Sequence, residues 1–192
     1  MKSLITSILA GVFALISSVA MAGVIELKPA SPQPSGLKQG LKMQFRTGPD
    51  IRPRSLSEAN GKLASDAKVS AISKLQWPDK GKGATMFGSN AYEHIVARFS
   101  GYIKFDQAGE YKLEWYANDG LQVWISGQQV GRLDGINPCS SAGRPKVRVP
   151  SPGWYEFKAF YYQKEGTACY ESEWTPPGGK RGLIPNSAFG YK

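Results

Sequence analysis

The feature that most restricts the fold of this chain is residues 99–130, in which apolar and polar residues alternate. The alternation comes in three runs, separated by turn residues at 106–109 and at Asn118-Asp119-Gly120. Because side chains on a β-strand point alternately to opposite faces, each run predicts a strand with one buried face. The short polar turns predict that the three strands pair as a β-meander.

Two more alternating runs follow nearer the C-terminus. Residues 155–161 carry apolar groups on both faces, which is typical of a strand at the centre of a sheet. Residues 168–174 alternate until Pro176 and Pro177 end the run. Helical periodicity is nearly absent, and the sequence therefore predicts an all-β domain of antiparallel strands.

The first 22 residues have the features of a cleaved secretory signal peptide. A lysine precedes an apolar run that ends in small residues and an Ala-x-Ala site. Cleavage after Ala22 leaves 192 − 22 = 170 residues, enough for one domain. We divide the chain into a signal peptide at 1–22, a Pro-rich extended leader at 23–40 and a single β domain at 41–192. The sequence predicts a secreted or periplasmic protein with no transmembrane segment in its mature form.

The composition is basic, with a formal net charge of +9, which becomes +8 when Lys2 is removed with the signal. Outside the cell, this charge favours an anionic envelope component such as acidic polysaccharide, lipopolysaccharide or phospholipid over nucleic acid. Because the lysines and arginines are scattered, simple solubility without a partner is the alternative.

The long stretch 47–89 lacks a clear period. A short helix within 55–71 is one interpretation, although Asn60-Gly61 interrupts the pattern, and an irregular segment laid over the β domain is the other. Loops of this length in a small domain are either functional or packed as a cover. We expect a covering segment.

Cys139 and Cys169 are the only cysteines. In an oxidising compartment they predict one structural disulfide, with two free thiols or an intermolecular bridge as alternatives. The disulfide would connect the loop at 131–148 to the later strand that carries Cys169.

No motif for nucleophilic, metal-dependent or phosphate chemistry is present. His94 is the only histidine, and without a partnered nucleophile it is expected at the surface rather than in a catalytic site. The chain is therefore not expected to be an enzyme. A pair of carboxylates for glycoside hydrolysis is the one catalytic alternative left open.

The ordered motifs FSGYI, GEYKL, ANDGLQVWISGQQV, PGWYEFKAFYY, EGTA, EWTPPG and IPNSAF resemble the PA-fourteen domain family, named for the protective antigen of anthrax toxin. The resemblance covers about residues 40–191. It implies an antiparallel β-barrel or β-sandwich, and often a carbohydrate-binding role in adhesins, glycosidases and toxins.

The resemblance also implies a ligand site. In sugar-binding members, two aspartates joined by a cis peptide hold a calcium ion that coordinates sugar hydroxyls, and the matching residues here are Asn118 and Asp119. The family's second ligand loop corresponds to Gln163, Lys164 and Glu165. With Asn118 in place of aspartate, one anionic ligand is lost, so any calcium affinity should fall. The ammonium of Lys164 is expected either to repel the ion or to take its place. The alternative for Asn118-Asp119-Gly120 is a plain hairpin turn.

Four aromatic residues, Tyr116, Trp124, Trp154 and Tyr162, fall opposite the best apolar faces. Exposed rings of this kind can stack on sugars, and we include Trp124 in the predicted ligand site. The alternative is that the 47–89 segment covers them.

These observations predict a secreted or periplasmic lectin-like module that binds a glycan or polysaccharide at the cell envelope, with weak calcium dependence. The second hypothesis is an envelope structural protein that holds a protein partner or anionic lipid through its basic surface. The third is a glycoside hydrolase.

Overall fold

The computed structural model describes residues 23–63, 67–81, 83, 85–89, 91 and 93–192, so the signal peptide predicted at 1–22 lies outside the described residues. The described residues form strands, one α-helix and one turn of 3-10 helix at Asn186–Ala188. The strands and helix, in chain order, are β1 (Ile25–Glu26), β2 (Lys38–Gln39), β3 (Leu41–Thr47), α1 (Leu56–Lys62), β4 (Lys68–Ile72), β5 (Trp77–Lys80), β6 (Ile95–Phe105), β7 (Gly109–Asn118), β8 (Gly120–Ile125), β9 (Gln128–Leu133), β10 (Ser140–Ser141), β11 (Lys146–Val149), β12 (Gly153–Gln163), β13 (Ala168–Thr175), β14 (Gly182–Leu183) and β15 (Phe189–Tyr191).

The strands form two sheets that face each other. The first has the order β1-β11-β7-β13-β14, with β10 beside β7 and β5 beside β13. The second has the order β2-β15-β6-β12-β8-β9, with β3 beside β6 and β4 beside β3. The predicted all-β fold is confirmed, and of the two forms expected it is an open sandwich, because the sheets do not close into a barrel.

The predicted meander is wrong. Strand β7 lies in the first sheet, whereas β6 and β8 lie in the second, separated by β12. Each strand has one row of buried side chains, and the rows face one another because the chain changes sheet at each turn. The alternation predicts each strand correctly, but the short turns do not identify its neighbour.

Aromatic side chains dominate the space between the sheets. Trp115 from the first sheet and Phe157 from the second are fully buried, with ring centroids 6.0 Å apart. Strand β12 is central, as predicted, because it pairs with β6 along its whole length and with β8 on its other side. Its position brings the residue that follows it, Lys164, to the same end of the sandwich as the end of β7.

The 47–89 segment is more regular than the predicted irregular cover. Its described part contains β4, β5 and the helix α1, which Ser55 caps by accepting the N–H of Glu58 at 3.2 Å. Leu56 and Ala59 of this helix are buried against the outer face of the second sheet. Asn60-Gly61 therefore lies inside the helix instead of ending it, because packing of one apolar face outweighs local propensity.

Residues 23–40 are extended and contribute one short strand to each sheet. Strand β1 pairs in parallel with β11, and β2 pairs with β15. Leu27 between them is 2% exposed and joins the main core. Among the described residues, no helix is both long and apolar enough to cross a membrane.

Candidate functional site

The turn between β7 and β8 passes from one sheet to the other at Asn118-Asp119, and the peptide bond that joins these residues is cis. The backbone N–H of Asp119 donates to the carbonyl of Tyr162 at 3.1 Å. The hydroxyl of Tyr161 donates to the carbonyl of Asn118 at 2.6 Å. Strand β12 therefore holds both residues of the turn, which is not the plain hairpin that the sequence left as the alternative.

Gly120 is required by the close approach of Tyr162. A Cβ atom at position 120 would lie 2.1 Å from the ring of Tyr162, far inside van der Waals contact. The hydroxyl of Tyr162 in turn donates to the carbonyl of Gly135 at 2.6 Å. The turn is thus packed between β12 and the loop that follows β9.

The loop after β12 meets the Asn118-Asp119 turn directly. One carboxylate oxygen of Asp119, Oδ2, accepts the backbone N–H of Lys164 at 2.7 Å. The side-chain amide of Asn118 donates to the hydroxyl of Thr167 at 3.0 Å. We call this arrangement the Asp119 site: the turn at 118–119 together with the loop at 163–167.

A third loop, missed by the sequence analysis, also reaches the Asp119 site. The backbone N–H of Asn137 donates to Oδ1 of Asp119 at 3.2 Å. The side-chain amide of Asn137 donates to the backbone carbonyl of Asp119, also at 3.2 Å. The disulfide brings this loop close, because Cys139 is bonded to Cys169 and Cys169 pairs with Asn118 across the first sheet. The predicted disulfide is confirmed.

Asp119 is a buried carboxyl group, only 2% exposed. Burial raises its pKa above the ordinary value, although the N–H groups of Lys164 and Asn137 and the charge of Lys164 act in the opposite direction. Burial also raises the pKa of Tyr161 well above its usual range, which keeps its hydroxyl a donor to Asn118.

The rim of the Asp119 site is charged. The ammonium of Lys164 lies 2.9 Å from Oε1 of Glu165, and Arg52 forms a second ion pair with the same carboxylate. The hydrogen bond from the Lys164 side chain lowers the pKa of Glu165 most, and the charge of Arg52 lowers it further. Arg52 also donates to Nε2 of His94 at 3.3 Å, so His94 belongs to this polar rim.

A sequence profile of the PA14 domain matches residues 58–188, more than half of the chain. The chain belongs to the PA14 domain family. This is the PA-fourteen resemblance predicted from the ordered motifs. No curated protein sequence is significantly similar to this PA14 domain.

Solved structures share the fold at low sequence identity. The PA14 domain of the MpAFP antifreeze protein is 13% identical, with a TM-score of 0.67 over 82% of this chain and 93% of that one. The PA14 sugar-binding domain of an RTX adhesin is 14% identical, with a TM-score of 0.63 over 80% of this chain and 99% of that one. The A domain of epithelial adhesin 9 from Candida glabrata, in complex with Galβ1-4GlcNAc, is 14% identical, with a TM-score of 0.65 over 87% of this chain and 95% of that one.

Among the described residues, the buried side-chain oxygens without a hydrogen-bond partner include two at the Asp119 site, Oδ1 of Asn118 and Oε1 of Gln163. The amide nitrogen of Gln163 donates to the carbonyl of Thr167 at 3.1 Å, so its oxygen is the unused end. Buried oxygens without partners are suited to a bound polar ligand or a cation.

For calcium, the donor set fits only a weak site. The carboxylate of Asp119 and the free oxygen of Asn118 are suitable ligands, and each Asp119 oxygen retains capacity beyond its one N–H bond. However, the described residues include no cluster of three or more acidic, His or Cys side chains able to hold a metal. The positive charge of Lys164 also acts on Asp119.

The four aromatic residues lie in different surroundings. Tyr162 is buried beneath residues 51–59. Tyr116 is half-buried and donates to Glu114. Trp154 is half-buried near Gly190. Trp124 is half-buried on the outer face of the second sheet, five residues after Asp119 and thus about 17 Å further along the strand. The structure therefore does not bring Trp124 to the Asp119 site.

Proposed function

We propose that this PA14 domain is a lectin-like module that binds a glycan through the Asp119 site. The observation that carries the proposal is the bond between Oδ2 of Asp119 and the N–H of Lys164, 2.7 Å long and spanning 45 residues of sequence. Two loops far apart in the chain are thereby fixed together at one end of the sandwich. Binding residues are commonly carried on loops that a rigid scaffold positions in this way.

The chemistry of the site suits sugar hydroxyl groups, which both donate and accept hydrogen bonds. Glu165 offers an exposed carboxylate as acceptor, and Lys164 and Arg52 offer donors. The unpartnered oxygens of Asn118 and Gln163 add two acceptors below this rim. A polyhydroxylated ligand would match this mixture better than an apolar one.

Two of the structural neighbours support the same conclusion. One is a sugar-binding domain of an adhesin, and another is an adhesin domain in complex with Galβ1-4GlcNAc. These neighbours are binding domains, so we propose recognition of a glycan without turnover.

We also propose weak calcium dependence. Asn118 and Asp119 would hold the ion, which would supply positive charge to the oxygens of a sugar. With only one carboxylate in this pair, the affinity should lie at the weak end of calcium sites, a Kd on the order of 10⁻⁴ to 10⁻³ M.

We propose that the protein acts at the cell envelope, in the periplasm or outside the cell. The signal-like residues 1–22 support export. The disulfide between Cys139 and Cys169 supports an oxidising compartment.

The proposal is tested on a glycan array, with and without calcium, using the mature protein and its Asp119→Asn and Lys164→Ala variants. We expect reproducible binding to a restricted set of glycans and a loss of at least about tenfold in affinity for both variants, since each removes a charge-assisted contact. Asp106→Asn is the matched control, because Asp106 is an exposed acid in the turn that precedes β7.

Two results would count against this function: no reproducible glycan under either condition, or undiminished binding by both site variants. The dependence of binding on salt concentration distinguishes glycan recognition from simple charge attraction. Binding that collapses as ionic strength rises would favour the hypothesis of an anionic lipid partner, whereas a desolvated sugar site should change little.

A further inference from the structure

A groove on the outer face of the second sheet is separate from the Asp119 site. Its lining includes Asn60, Arg98, Gln122, Trp124, Lys158 and Phe160, and we call it the Trp124 groove. Its volume is about 380 Å³. This lies within the range of small-molecule sites in proteins, roughly 300 to 1,000 Å³.

The register of the sheet builds the floor of the groove. Phe160 on β12 pairs with Arg98 on β6 at one side and with Gln122 on β8 at the other. Two residues along, Lys158 pairs with Trp124. Since residues two apart on a strand point to the same face, these side chains form two adjacent rows on one surface.

Helix α1 forms the wall of the groove. Its residues Leu56 and Asn60 line the cavity, and the amide oxygen of Asn60 accepts a bond from Arg98 at 2.9 Å. The guanidinium of Arg98 also lies over the ring of Phe160, 5.8 Å from its centre. The position of this cation is therefore fixed before any ligand binds, which lowers the entropic cost of binding.

The charge of the groove is of one sign. Arg98 and Lys158 are both exposed and line it, whereas its lining contains no aspartate or glutamate among the described residues. Neither cation forms an ion pair within the described part of the chain. A ligand with a carboxylate would provide the missing negative charge.

We propose that the Trp124 groove binds an acidic saccharide, meaning a sugar ring that carries a carboxylate. Trp124 supplies a flat apolar surface for the ring, Arg98 and Lys158 bind the carboxylate, and the amides of Gln122 and Asn60 face the hydroxyl groups. The combination of one aromatic surface, a few amides and two cations suits this ligand class better than an apolar ligand, which would leave the cations unpaired. The groove lining includes none of the residues at 118–119 or 163–167, so variants can test the two sites separately.

The test uses trigalacturonic acid and its fully methyl-esterified form as matched probes, which differ in charge but share the same rings. We expect the acid to quench the tryptophan fluorescence of the mature protein and the ester to bind at least about tenfold more weakly, since hydrogen bonds to charged groups are the strong ones. Arg98→Gln and Lys158→Gln should each weaken binding of the acid about tenfold. Lys112→Gln, an exposed lysine on the first sheet, is the matched control and should bind as the parent protein does.

Several results, each sufficient by itself, would overturn the proposal. These are no binding of the acid, equal binding of acid and ester, or the same loss in Lys112→Gln as in the groove variants. Equal binding of tri-glutamate would also overturn it, because it would show recognition of negative charge alone. Retained binding of the acid by an Asp119→Asn variant would exclude the Asp119 site as the source of the response.

Discussion

The carboxylate of Asp119 accepts the backbone N–H of Lys164, and this bond connects the end of the first sheet to the end of the central strand in the second. The same carboxylate accepts the N–H of Asn137 from a third loop. A single buried side chain thus organises three loops.

The stabilisation that Asp119 provides should depend on pH. The pKa of Asp119 is raised in the folded protein, so folding favours the protonated carboxyl group. The resulting contribution to stability is fully present below the pKa of the unfolded chain, about 4. It should decline as pH rises through the higher folded pKa. Urea unfolding of the parent and of Asp119→Asn from about pH 3 to about pH 7 measures this. A difference in stability that stays constant, or grows with pH, would contradict the assignment.

Calcium affinity should increase when the missing carboxylate is restored. In Asn118→Asp, the hydroxyl of Thr167 can donate to the new carboxylate in place of the present bond, so the fold should tolerate the change. We expect calorimetry to show calcium binding at least about tenfold tighter than in the parent, because a second anionic ligand is added. Magnesium, which requires stricter octahedral geometry, serves as the control ion. Unchanged affinity would show that Asn118 does not face the ion.

Replacing Gly120 with alanine should destabilise the domain. The added methyl group would meet the ring of Tyr162 at 2.1 Å and displace it from below the Asp119 site. Overpacking of this kind costs about 1–3 kcal/mol in the free energy of unfolding. In the control Gly182→Ala, the methyl group meets nothing within 4 Å. Thermal unfolding of both variants should show a clear loss for Gly120→Ala alone, and similar curves would refute the packing argument.

Reduction of the disulfide should weaken both the fold and the third loop. Cys139 and Cys169 are 30 residues apart, and in the chain-entropy model a loop of this length contributes about 3–4 kcal/mol. Urea unfolding with and without reductant should show this difference in the parent and none in a Cys139→Ser, Cys169→Ser double variant. An equal response to reductant in both proteins would indicate an effect unrelated to the bond.

The sequence predicts the positions of the strands better than it predicts which strands pair with each other. The alternation at 99–130 identifies β6, β7 and β8, because one buried face leaves a period of two in the sequence. Their neighbours are set by contacts with β12 and β13, which come 30 to 60 residues later, and no local pattern encodes those pairings. The polar turn at Asn118 therefore looks like a hairpin in sequence although it crosses between sheets.

The Asp119 site could be predicted only in part. The family resemblance pointed to the loops at Asn118 and Lys164, and the structure places them in contact. Asn137 has no signal of its own, although the pairing of Cys139 with Cys169 was a clue that its loop lies close by. Sequence could not separate Tyr162 from Trp124 either, since both point outward and only the packing of residues 51–59 decides which one is covered.

The crossing between sheets at Asn118-Asp119 has a mechanical consequence for the proposed binding of a glycan. A pulling force applied through a ligand at Asp119 would enter the protein at the point where β7 ends and β8 begins. It would be divided at once between two ladders, β7 with β13 in one layer and β8 with β12 in the other. Both sheets would share the force, so it would not separate one edge strand from its neighbour first.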